Sequence, residues 1–437
     1  MFRRSPRLNV LILGIDGYIG WSLALHLLSR GHTVAGIDNF SRRTNVGSVS
    51  SDSAIPIPEI GKRIEACERI LGKKIRFYEG DILNYDLLRK VFSEFRPESI
   101  VHLAEQPSAP FSMISREHAV YTQHNNVEGS LNILYAMKEF SENCHLVKLG
   151  TMGEYGTPNV PIPEGFFEVE YRGRKDLMPF PRQPNSMYHL SKVHDSANLH
   201  FACRVWNFRA TDVMQGVVYG TRVTEMTDDT LLTRFDFDES FGTVINRYCA
   251  QAVIGFPLTP YGAGHQKRGF IDLVDSIQCL TIAIEKPADR AQYRVFNQLD
   301  EVYDITGLAE KVVEASSKFG LKVEVNHVPN PRLEKEDHYY EVEHNHLREL
   351  GFRPTRKIEQ TLDIILEDLL RYRERILQHK DAIMPRTKWV EAKSPKPVGE
   401  LLHERLVAYD GDISKISQKD GLASTHRLSM DGSGTKA

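Results

Sequence analysis

The stretch 8-LNVLILGIDGYIGW-21 joins an apolar run, a glycine-rich turn and the start of a helical pattern. Its glycines, Gly14, Gly17 and Gly20, have the spacing G-x-x-G-x-x-G. The first permits a tight turn, the second lets the backbone approach a pyrophosphate, and the third allows the helix to pack closely. The start of the helix offers backbone amides and the positive end of its dipole to phosphate groups. The stretch therefore predicts a strand, a dinucleotide-binding turn and a helix.

Acidic residues follow at the ends of the next two predicted strands. Asp38 ends the run AGID, where a carboxylate can accept hydrogen bonds from both hydroxyls of a ribose. The same charge repels a 2′-phosphate, which favours NAD over NADP. Arg42 and Arg43 leave NADP open, because an arginine near this position can hold such a phosphate. Asp81 and Ile82 follow the third strand, where they either meet the adenine or cap the strand end.

Short apolar runs alternate with helical patterns through the first third of the chain. The runs are apolar on both faces, which is typical of a parallel sheet covered by helices. We therefore expect a Rossmann-like, doubly wound α/β fold with a smaller carboxyl-terminal α/β substrate domain. The expected parts are an NAD-binding domain at 8–215 with inserts at 39–74 and 155–187, a substrate domain at 216–390 with some chain exchange, and a disordered tail at 391–437.

Local patterns add detail to this expectation. The second half of the insert 39–74 has a helical period. The Pro- and Gly-rich insert 155–187 predicts a loop with a small hairpin at Arg172 and Gly173, placed to cover a site. The last strongly periodic segment, 357–378, predicts one helix.

The composition excludes several classes of protein. The 437 residues carry 55 basic and 58 acidic side chains, so the net charge of -3 gives no reason to expect nucleic acid or an anionic membrane as partner. The five cysteines are widely spaced and lack a C-x-x-C pair, so we expect neither a disulfide framework nor a zinc site, and no other metal. No apolar run reaches the roughly 18 residues of a membrane span, and the basic start passes directly into the first strand. We expect a soluble, cytoplasmic protein.

Three further side chains carry the pattern of an oxidation site. Tyr188 and Lys192, in 185-NSMYHLSKVHDS-196, lie one helical turn apart and project from the same face of a predicted helix. Thr151 ends the predicted strand HLVKLGT, and ligands of an open parallel sheet bind outside such strand ends. A lysine ammonium and the positive ring of NAD both favour a tyrosine phenolate. Tyr188 is therefore the predicted base, Lys192 the group that tunes its pKa, and Thr151 a hydrogen-bond donor to the same substrate oxygen.

The glycine turn, Thr151 and Tyr188-x-x-x-Lys192 together resemble the extended short-chain dehydrogenase/reductase enzymes, the NAD-dependent epimerase/dehydratase family, which modify nucleotide sugars. Within that family, several segments are similar to those of a branch whose enzymes form a carbon–sulfur bond. These segments are SAPFSM, AVYTQHNN, HLVKLGTMGEYGTPN, QGVVYG and NPRLEKEDHYY. The resemblance runs from about residue 8 to about residue 390.

This resemblance implies tightly held NAD and a reaction of UDP-glucose with sulfite. The steps would be oxidation at carbon 4, loss of water across carbons 5 and 6, addition of sulfite at carbon 6 and return of the hydride. The resemblance also implies a homodimer. A UDP-glucose 4-epimerase or a nucleotide-sugar 4,6-dehydratase is the enzymatic alternative, and an NAD-sensing binding protein is the non-enzymatic one.

Residues for both ligands follow from the same resemblance. The predicted cofactor residues are Gly14, Gly17, Tyr18, Ile19, Gly20, Asp38, Asn39, Arg42, Asp81, Ile82, Leu103, Tyr188, Lys192 and Val218. The predicted substrate residues are Gln106, Thr151, Tyr188, Gln215, Thr243, Asn246, Arg247, Arg268, Arg332 and His338. The arginines are expected to neutralise the UDP phosphates by paired hydrogen bonds, with ordinary surface positions as the alternative.

The chain departs from its relatives at two places that matter for the reaction. The 4,6-dehydratases carry Thr-Asp-Glu at the strand end, the acid and base of their elimination, whereas the threonine is followed here by Met152 and Gly153. His189 is the predicted proton donor near carbon 6, or else a histidine of the helix surface, and Glu154 is a weaker candidate. Plant members of the branch have an arginine where this chain has Pro107. If that arginine helps to hold sulfite or substrate, another group does so here.

Overall fold

The opening stretch forms the first strand, turn and helix of the computed structural model. Strand β1 spans Asn9–Leu13 and helix α1 spans Tyr18–Arg30, with the glycine turn between them. The structure describes residues 7–332, 338–387 and 389. The tail predicted for 391–437 lies outside the described residues.

Strands and helices alternate through the first half of the chain, as the sequence pattern predicts. The remaining strands of the described residues are β2 Thr33–Asp38, β3 Arg76–Glu79, β4 Ser99–His102, β5 His145–Thr151, β6 Phe166–Tyr171, β7 Arg174–Pro179, β8 Arg209–Gln215, β9 Val217–Tyr219, β10 Lys267–Asp272, β11 Tyr293–Gln298 and β12 Glu301–Asp304. The remaining α-helices are α2 Ser41–Ser48, α3 Ile60–Leu71, α4 Tyr85–Phe95, α5 Ala109–Ser112, α6 Arg116–Gln123, α7 Gly129–Phe140, α8 Met187–Trp206, α9 Val244–Ile254, α10 Leu273–Glu285, α11 Ile305–Ser317, α12 His346–Glu349, α13 Ile358–Leu370 and α14 Arg373–Gln378.

Seven strands form the central sheet, in the order β11-β8-β5-β4-β1-β2-β3. Every neighbouring pair in it is parallel. The succession of strands reverses direction between β1 and β4, and ligands of doubly wound sheets bind at such a reversal. This arrangement confirms the predicted Rossmann-like α/β fold.

The first strand is buried on both faces. Val10 and Ile12 pack in one apolar core together with Trp21 of α1, while Leu11 and Leu13 pack in a second core. Successive side chains of a strand point to opposite faces, so a strand between two layers of helices is apolar at every position. This explains the unbroken apolar run 10-VLIL-13.

Two smaller sheets accompany the central one. In the first, β10 is parallel to β9 and antiparallel to β12. In the second, β6 and β7 form a hairpin whose turn residues Arg172 and Gly173 have φ values of 51° and 72°. Positive φ at both positions is typical of a two-residue hairpin turn, so the predicted hairpin is confirmed. The predicted division into domains at 8–215 and 216–390 stays a prediction.

The single helix predicted for 357–378 is wrong, because α13 and α14 divide that segment between them. The second helix is held by contacts outside the segment. The Nε atom of Arg373 donates to the carbonyl of Val253 at 3.0 Å, and that of Arg375 donates to the carbonyl of Ser53 at 2.7 Å. Such tertiary contacts override a local periodic pattern.

The insert at 39–74 holds two helices. Helix α3 confirms the helical period of its second half, whereas the polar first half gives no sequence signal for α2. Across the described ranges, none of the helices combines the length and the apolar character needed to cross a membrane.

Candidate active site

A cavity of about 440 Å³ opens at the carboxyl edge of the central sheet. Its wall includes Asp38 of β2, Leu103 just after β4, Thr151 of β5 and Gln215 of β8. The cavity therefore lies at the reversal of strand order, where the fold class places ligands. All the predicted cofactor, substrate and catalytic residues line it, with the exception of two substrate residues.

The two exceptions, Gln106 and His338, are buried beside the cavity. The Gln106 amide nitrogen donates to the hydroxyl of Thr122 at 2.8 Å and to the carbonyl of Ser108 at 3.0 Å. The His338 ring packs edge-on against the Tyr340 ring with 6.0 Å between their centres. The structure thus gives both side chains partners within the chain, and their roles toward a substrate stay predictions.

The glycine turn fits a diphosphate group. Gly14 has a φ of +85°, and a Cβ there would lie 2.8 Å from the carbonyl of Leu103. A Cβ on Gly20 would lie 2.2 Å from the Gly14 oxygen, so α1 can approach the turn only without a side chain at this position. Gly17 begins α1 without a side-chain cap, which leaves the first amides of the helix for phosphate oxygens. These features fit the predicted NAD.

The acidic residues predicted for the cofactor lie at the same end of the cavity. The Asp38 carboxylate accepts the backbone N–H groups of Asp16 and Phe40, both at 2.8 Å. Burial raises the pKa of Asp38 to about 6, although these two hydrogen bonds lower it. Asn39 Nδ2 donates to the Asp81 carboxylate at 2.8 Å, and both residues line the cavity. Asp38 is therefore held in one orientation for a ribose.

Both arginines near Asp38 are held in ion pairs. Arg43 binds Asp16, a residue of the glycine turn, at 2.7 Å. Arg42 binds Asp236 at 2.7 Å. These guanidinium groups are already engaged with carboxylates, so the arrangement favours NAD over a cofactor that carries a 2′-phosphate.

The start of α8 brings Thr151, Tyr188 and Lys192 together. Ser186 caps the helix, since its hydroxyl accepts the backbone N–H of His189 at 3.1 Å. The Thr151 side chain is near enough to the Tyr188 hydroxyl to lower the pKa of the phenol. The Lys192 ammonium lies 5.9 Å from the centre of the Tyr188 ring and donates to a backbone carbonyl of β5 at 2.6 Å. The three groups thus have the proximity that the predicted chemistry requires.

The protein alone does not make Tyr188 a base. Burial raises the pKa of its phenol, whereas the Thr151 side chain and the charge of Arg42 lower it. Burial also lowers the pKa of Lys192 to about 8. Added positive charge near the phenol is therefore needed to form the phenolate, and the nicotinamide ring of NAD would supply it.

The His189 imidazole lies directly on Gly153. A Cβ on Gly153 would lie 2.2 Å from Nε2 of the histidine. The other ring nitrogen, Nδ1, is 2.9 Å from Oδ1 of Asn185, which fixes the ring orientation. The histidine and Thr151 both line the cavity. His189 therefore lines the cavity, and its role as a proton donor stays a prediction.

Glu154 points into the protein interior. Its carboxylate is fully buried and lies 3.4 Å from the Lys148 ammonium and 3.3 Å from the Arg182 guanidinium. The two cations and the Ser196 hydroxyl already contact the Glu154 carboxylate. His189 is therefore favoured over Glu154 as the candidate proton donor.

Five arginines line the cavity wall. Arg42 and Arg234 are paired with Asp236, and the other three are Arg247, Arg268 and Arg332. Pro107, which stands where plant relatives have an arginine, lines the same cavity. Guanidinium groups bind phosphates and other oxyanions by paired hydrogen bonds, so this wall suits anionic ligands.

The cavity residues that the sequence analysis missed include Glu105, Arg234 and Asp236. Asp236 binds the neighbouring Arg234 at 2.9 Å and also Arg42. Glu105 forms an ion pair with Lys192. The contacts with Arg42 and Lys192 join distant parts of the chain, so no local pattern could have indicated them. In the described part of the chain, no group of three or more His, Cys, Asp or Glu side chains could hold a metal ion.

The sequence of this chain is similar to those of enzymes that act on nucleotide sugars. The model of the family described as NAD dependent epimerase/dehydratase matches residues 10–297. The chloroplastic UDP-sulfoquinovose synthase of Spinacia oleracea is 49% identical over 387 residues, which are 88% of this chain and 80% of the relative. The UDP-sulfoquinovose synthase of Sulfolobus acidocaldarius is 47% identical over 392 residues, which are 90% of this chain and 100% of the relative.

A solved structure shares the fold. The UDP-glucose 4-epimerase of Thermotoga maritima, solved with UDP-glucose, superimposes with a TM-score of 0.63 at 22% identity. The match covers 84% of this chain and 99% of the epimerase chain. At this identity the likeness concerns the fold alone.

Proposed function

This chain belongs to the NAD dependent epimerase/dehydratase family, and on that premise we propose that it converts UDP-glucose and sulfite to UDP-sulfoquinovose. The observation that carries the proposal is the similarity, over most of the chain, to two relatives named UDP-sulfoquinovose synthase. NAD, when bound, accepts a hydride from the sugar and later returns it.

The first task of the protein is to take a proton from the sugar. Tyr188 removes it from the carbon-4 hydroxyl as the hydride leaves that carbon. Thr151 lies beside Tyr188 on the cavity wall, so its hydroxyl can bond the same sugar oxygen and hold it in place. Lys192, one helical turn further, stabilises the phenolate by its charge. The resulting ketone makes the hydrogen on carbon 5 acidic, which prepares the loss of water.

His189 is our candidate for the elimination step. In the 4,6-dehydratases a glutamate stands at the position of Gly153. A side chain there would overlap the imidazole, since its first carbon would already lie 2.2 Å from Nε2. The histidine thus occupies the place that the dehydratase glutamate would use. It is positioned to give a proton to the hydroxyl that leaves carbon 6.

Sulfite enters after the water has left. Its sulfur lone pair forms the bond to carbon 6 of the enone, and carbon 5 takes up a proton. Return of the hydride to carbon 4, with a proton from Tyr188, then restores the hydroxyl. The arginines on the cavity wall support this step, because sulfite, like the UDP diphosphate, is an anion.

The test is to incubate the purified protein with UDP-glucose, with and without sulfite, and to identify the nucleotide sugars by mass spectrometry. We expect a sulfonated UDP-sugar only when sulfite is present. UDP-galactose without any sulfonated sugar would replace the proposal with the epimerase alternative.

We also propose that two copies of the chain pair through α7 and α8. Their outer faces expose four large apolar side chains: Leu131 and Tyr135 on α7, and Phe201 and Val205 on α8. Each pair is spaced by one helical turn. The Trp206 ring links the two pairs into one apolar patch, because its centre lies 5.3 Å from that of Tyr135 and 5.4 Å from that of Phe201. The same patch on a second copy is a self-complementary partner around a two-fold axis.

We propose that the chain functions in a reducing compartment such as the cytoplasm. All five cysteines are buried and unpaired. Proteins of oxidising compartments generally use cysteines in disulfides. Retention of five free thiols in a purified sample would support this proposal, and disulfide formation in the native protein would contradict it.

A further inference from the structure

Glu105 contributes a buried carboxylate to the cavity beside the predicted catalytic lysine. It follows β4, and its side chain is 2% exposed. The carboxylate forms an ion pair with Lys192 and lies 3.2 Å from Nε2 of His102. Neither the glycine turn nor the Tyr-x-x-x-Lys pattern requires an acid at this position.

The lysine has several other titratable neighbours. They are Tyr188 and Asp195 on α8, His102 on β4, Lys148 on β5 and Asp212 on β8. Two of them are carboxylates that could also serve as its counter-ion. Which carboxylate balances Lys192 therefore has to be decided from their other partners.

Asp212 is engaged elsewhere. It lies 3.3 Å from the Lys148 ammonium and accepts the hydroxyls of Ser196 at 2.6 Å and Tyr293 at 2.7 Å. Asp195 is fully buried, and burial raises its pKa to about 7, although Lys148 and Lys192 lower it. Asp195 is thus partly neutral near pH 7. Of the carboxylates in the described ranges, the one in ion-pair contact with Lys192 is Glu105.

His102 contacts the Glu105 carboxylate without adding charge. Burial, together with the charges of Lys192 and Lys148, holds the pKa of His102 well below its ordinary value. The imidazole is therefore neutral, and its Nε2 atom lies 3.2 Å from both the Glu105 carboxylate and the Ser130 hydroxyl. A neutral imidazole leaves the full negative charge of Glu105 for Lys192.

We propose that Glu105 is the counter-ion that keeps Lys192 protonated, and that it is a positioning residue for the oxidation step. The inference rests on the proposed function, since it assigns Glu105 a part in the first step of that reaction. A buried ammonium loses its proton easily when its counter-ion is removed. A neutral Lys192 no longer stabilises the Tyr188 phenolate. Glu105 therefore acts on the base through the lysine.

The experiment compares E105Q and E105D with the wild type across pH. The exposed Glu117, changed in E117Q, is the matched control. The rate of nicotinamide reduction on addition of UDP-glucose, without sulfite, is measured with the holoenzyme. In E105Q we expect the rate to fall at lower pH than in the wild type, because loss of the counter-ion adds to the burial that already lowers the pKa of Lys192. Where the two profiles differ most, the rate of E105Q should be roughly tenfold below that of E117Q, which corresponds to a pKa lower by about one.

E105D keeps the negative charge and should keep the wild-type pH range. A wild-type profile in E105Q would overturn the inference, and so would an equal loss at all pH values in E105Q and E105D. The ¹⁵N chemical shift of the Lys192 ammonium, followed by NMR across pH, tests the same point without substrate. We expect it to titrate at lower pH in E105Q than in the wild type. If the wild type does not reduce its nicotinamide with UDP-glucose, the proposed function fails, while the NMR titration still decides the role of Glu105.

Discussion

Tyr188 combines a buried ring with a hydroxyl whose pKa the nearby Thr151 lowers. Tyr188→Phe removes the oxygen and leaves the ring packing in place. We expect oxidation of UDP-glucose to fall on the order of 10²- to 10⁴-fold, because the group assigned to take the proton is lost. Nicotinamide absorbance after addition of UDP-glucose measures the step, and an unchanged thermal unfolding curve shows that the fold is intact. Undiminished turnover would remove Tyr188 from its assigned role.

Because Gly153 contacts His189, substitutions at these two residues can test the elimination step separately from the oxidation step. In Gly153→Ala the new methyl group must displace the imidazole, because it would lie 2.2 Å from Nε2. We expect this variant to reduce its nicotinamide with UDP-glucose but to form the sulfonated sugar at least about tenfold more slowly. His189→Gln should show the same pattern.

The exposed His194 of the same helix provides the matched control. His194→Gln should form product at the wild-type rate. If Gly153→Ala and His189→Gln both match it in mass-spectrometric assays of the sulfonated sugar, His189 has no part in the elimination.

At this scale the sequence predicts residues whose signal is local. The glycine turn, Asp38 and the Tyr188–Lys192 pair each follow from spacing within one or two elements. The role of Glu105 does not follow from local spacing, because it depends on contact with Lys192. That lysine is 87 positions away in the chain and adjacent only after folding. The inward direction of the Gln106 side chain is likewise a matter of packing that no spacing reveals.

At the scale of elements, the junction of β1, the turn and α1 depends on the absence of side chains. Gly20→Ala places a methyl group 2.2 Å from the Gly14 oxygen, so α1 must move away from the turn. We expect unfolding free energy to fall by about 1–3 kcal/mol. The displaced helix amides should also release the cofactor, which is measured as bound NAD per protein after gel filtration.

Gly61→Ala is the matched control for this change. Gly61 lies in α3, and nothing is within 4 Å of the position a Cβ would take. Stability should stay unchanged or rise by up to about 1 kcal/mol, since alanine favours a helix. Equal NAD retention in the two variants would contradict the role assigned to the glycine turn.

Local sequence patterns predict a helix, strand or turn well when residues within that element determine its conformation. The hairpin at Arg172 and Gly173 is an example, because its turn needs positive φ at both positions. The division between α13 and α14 is the opposite case: the contacts of Arg373 and Arg375 with other segments determine it. A single-sequence pattern contains no information about such partners.

At the scale of the whole molecule, the apolar patch on α7 and α8 decides the expected assembly. Phe201 is 47% exposed in the single chain. Phe201→Glu places a charge in the centre of the proposed two-fold interface, where it would lose its hydration without gaining a partner. We therefore expect sedimentation to give twice the chain mass of 49.8 kDa for the wild type and the single-chain mass for the variant.

The control for this change is Tyr171→Glu, which alters an aromatic residue of the β6–β7 hairpin that is 68% exposed. It should sediment like the wild type, because the hairpin lies outside the patch. A dimeric Phe201→Glu would move the interface elsewhere, and a monomeric wild type would refute the homodimer.

The patch matters for the site because α8 carries both Phe201 and the Tyr188–Lys192 pair. Pairing of two α8 helices would stabilise the element that positions the base, so Phe201→Glu should also lower the thermal unfolding midpoint.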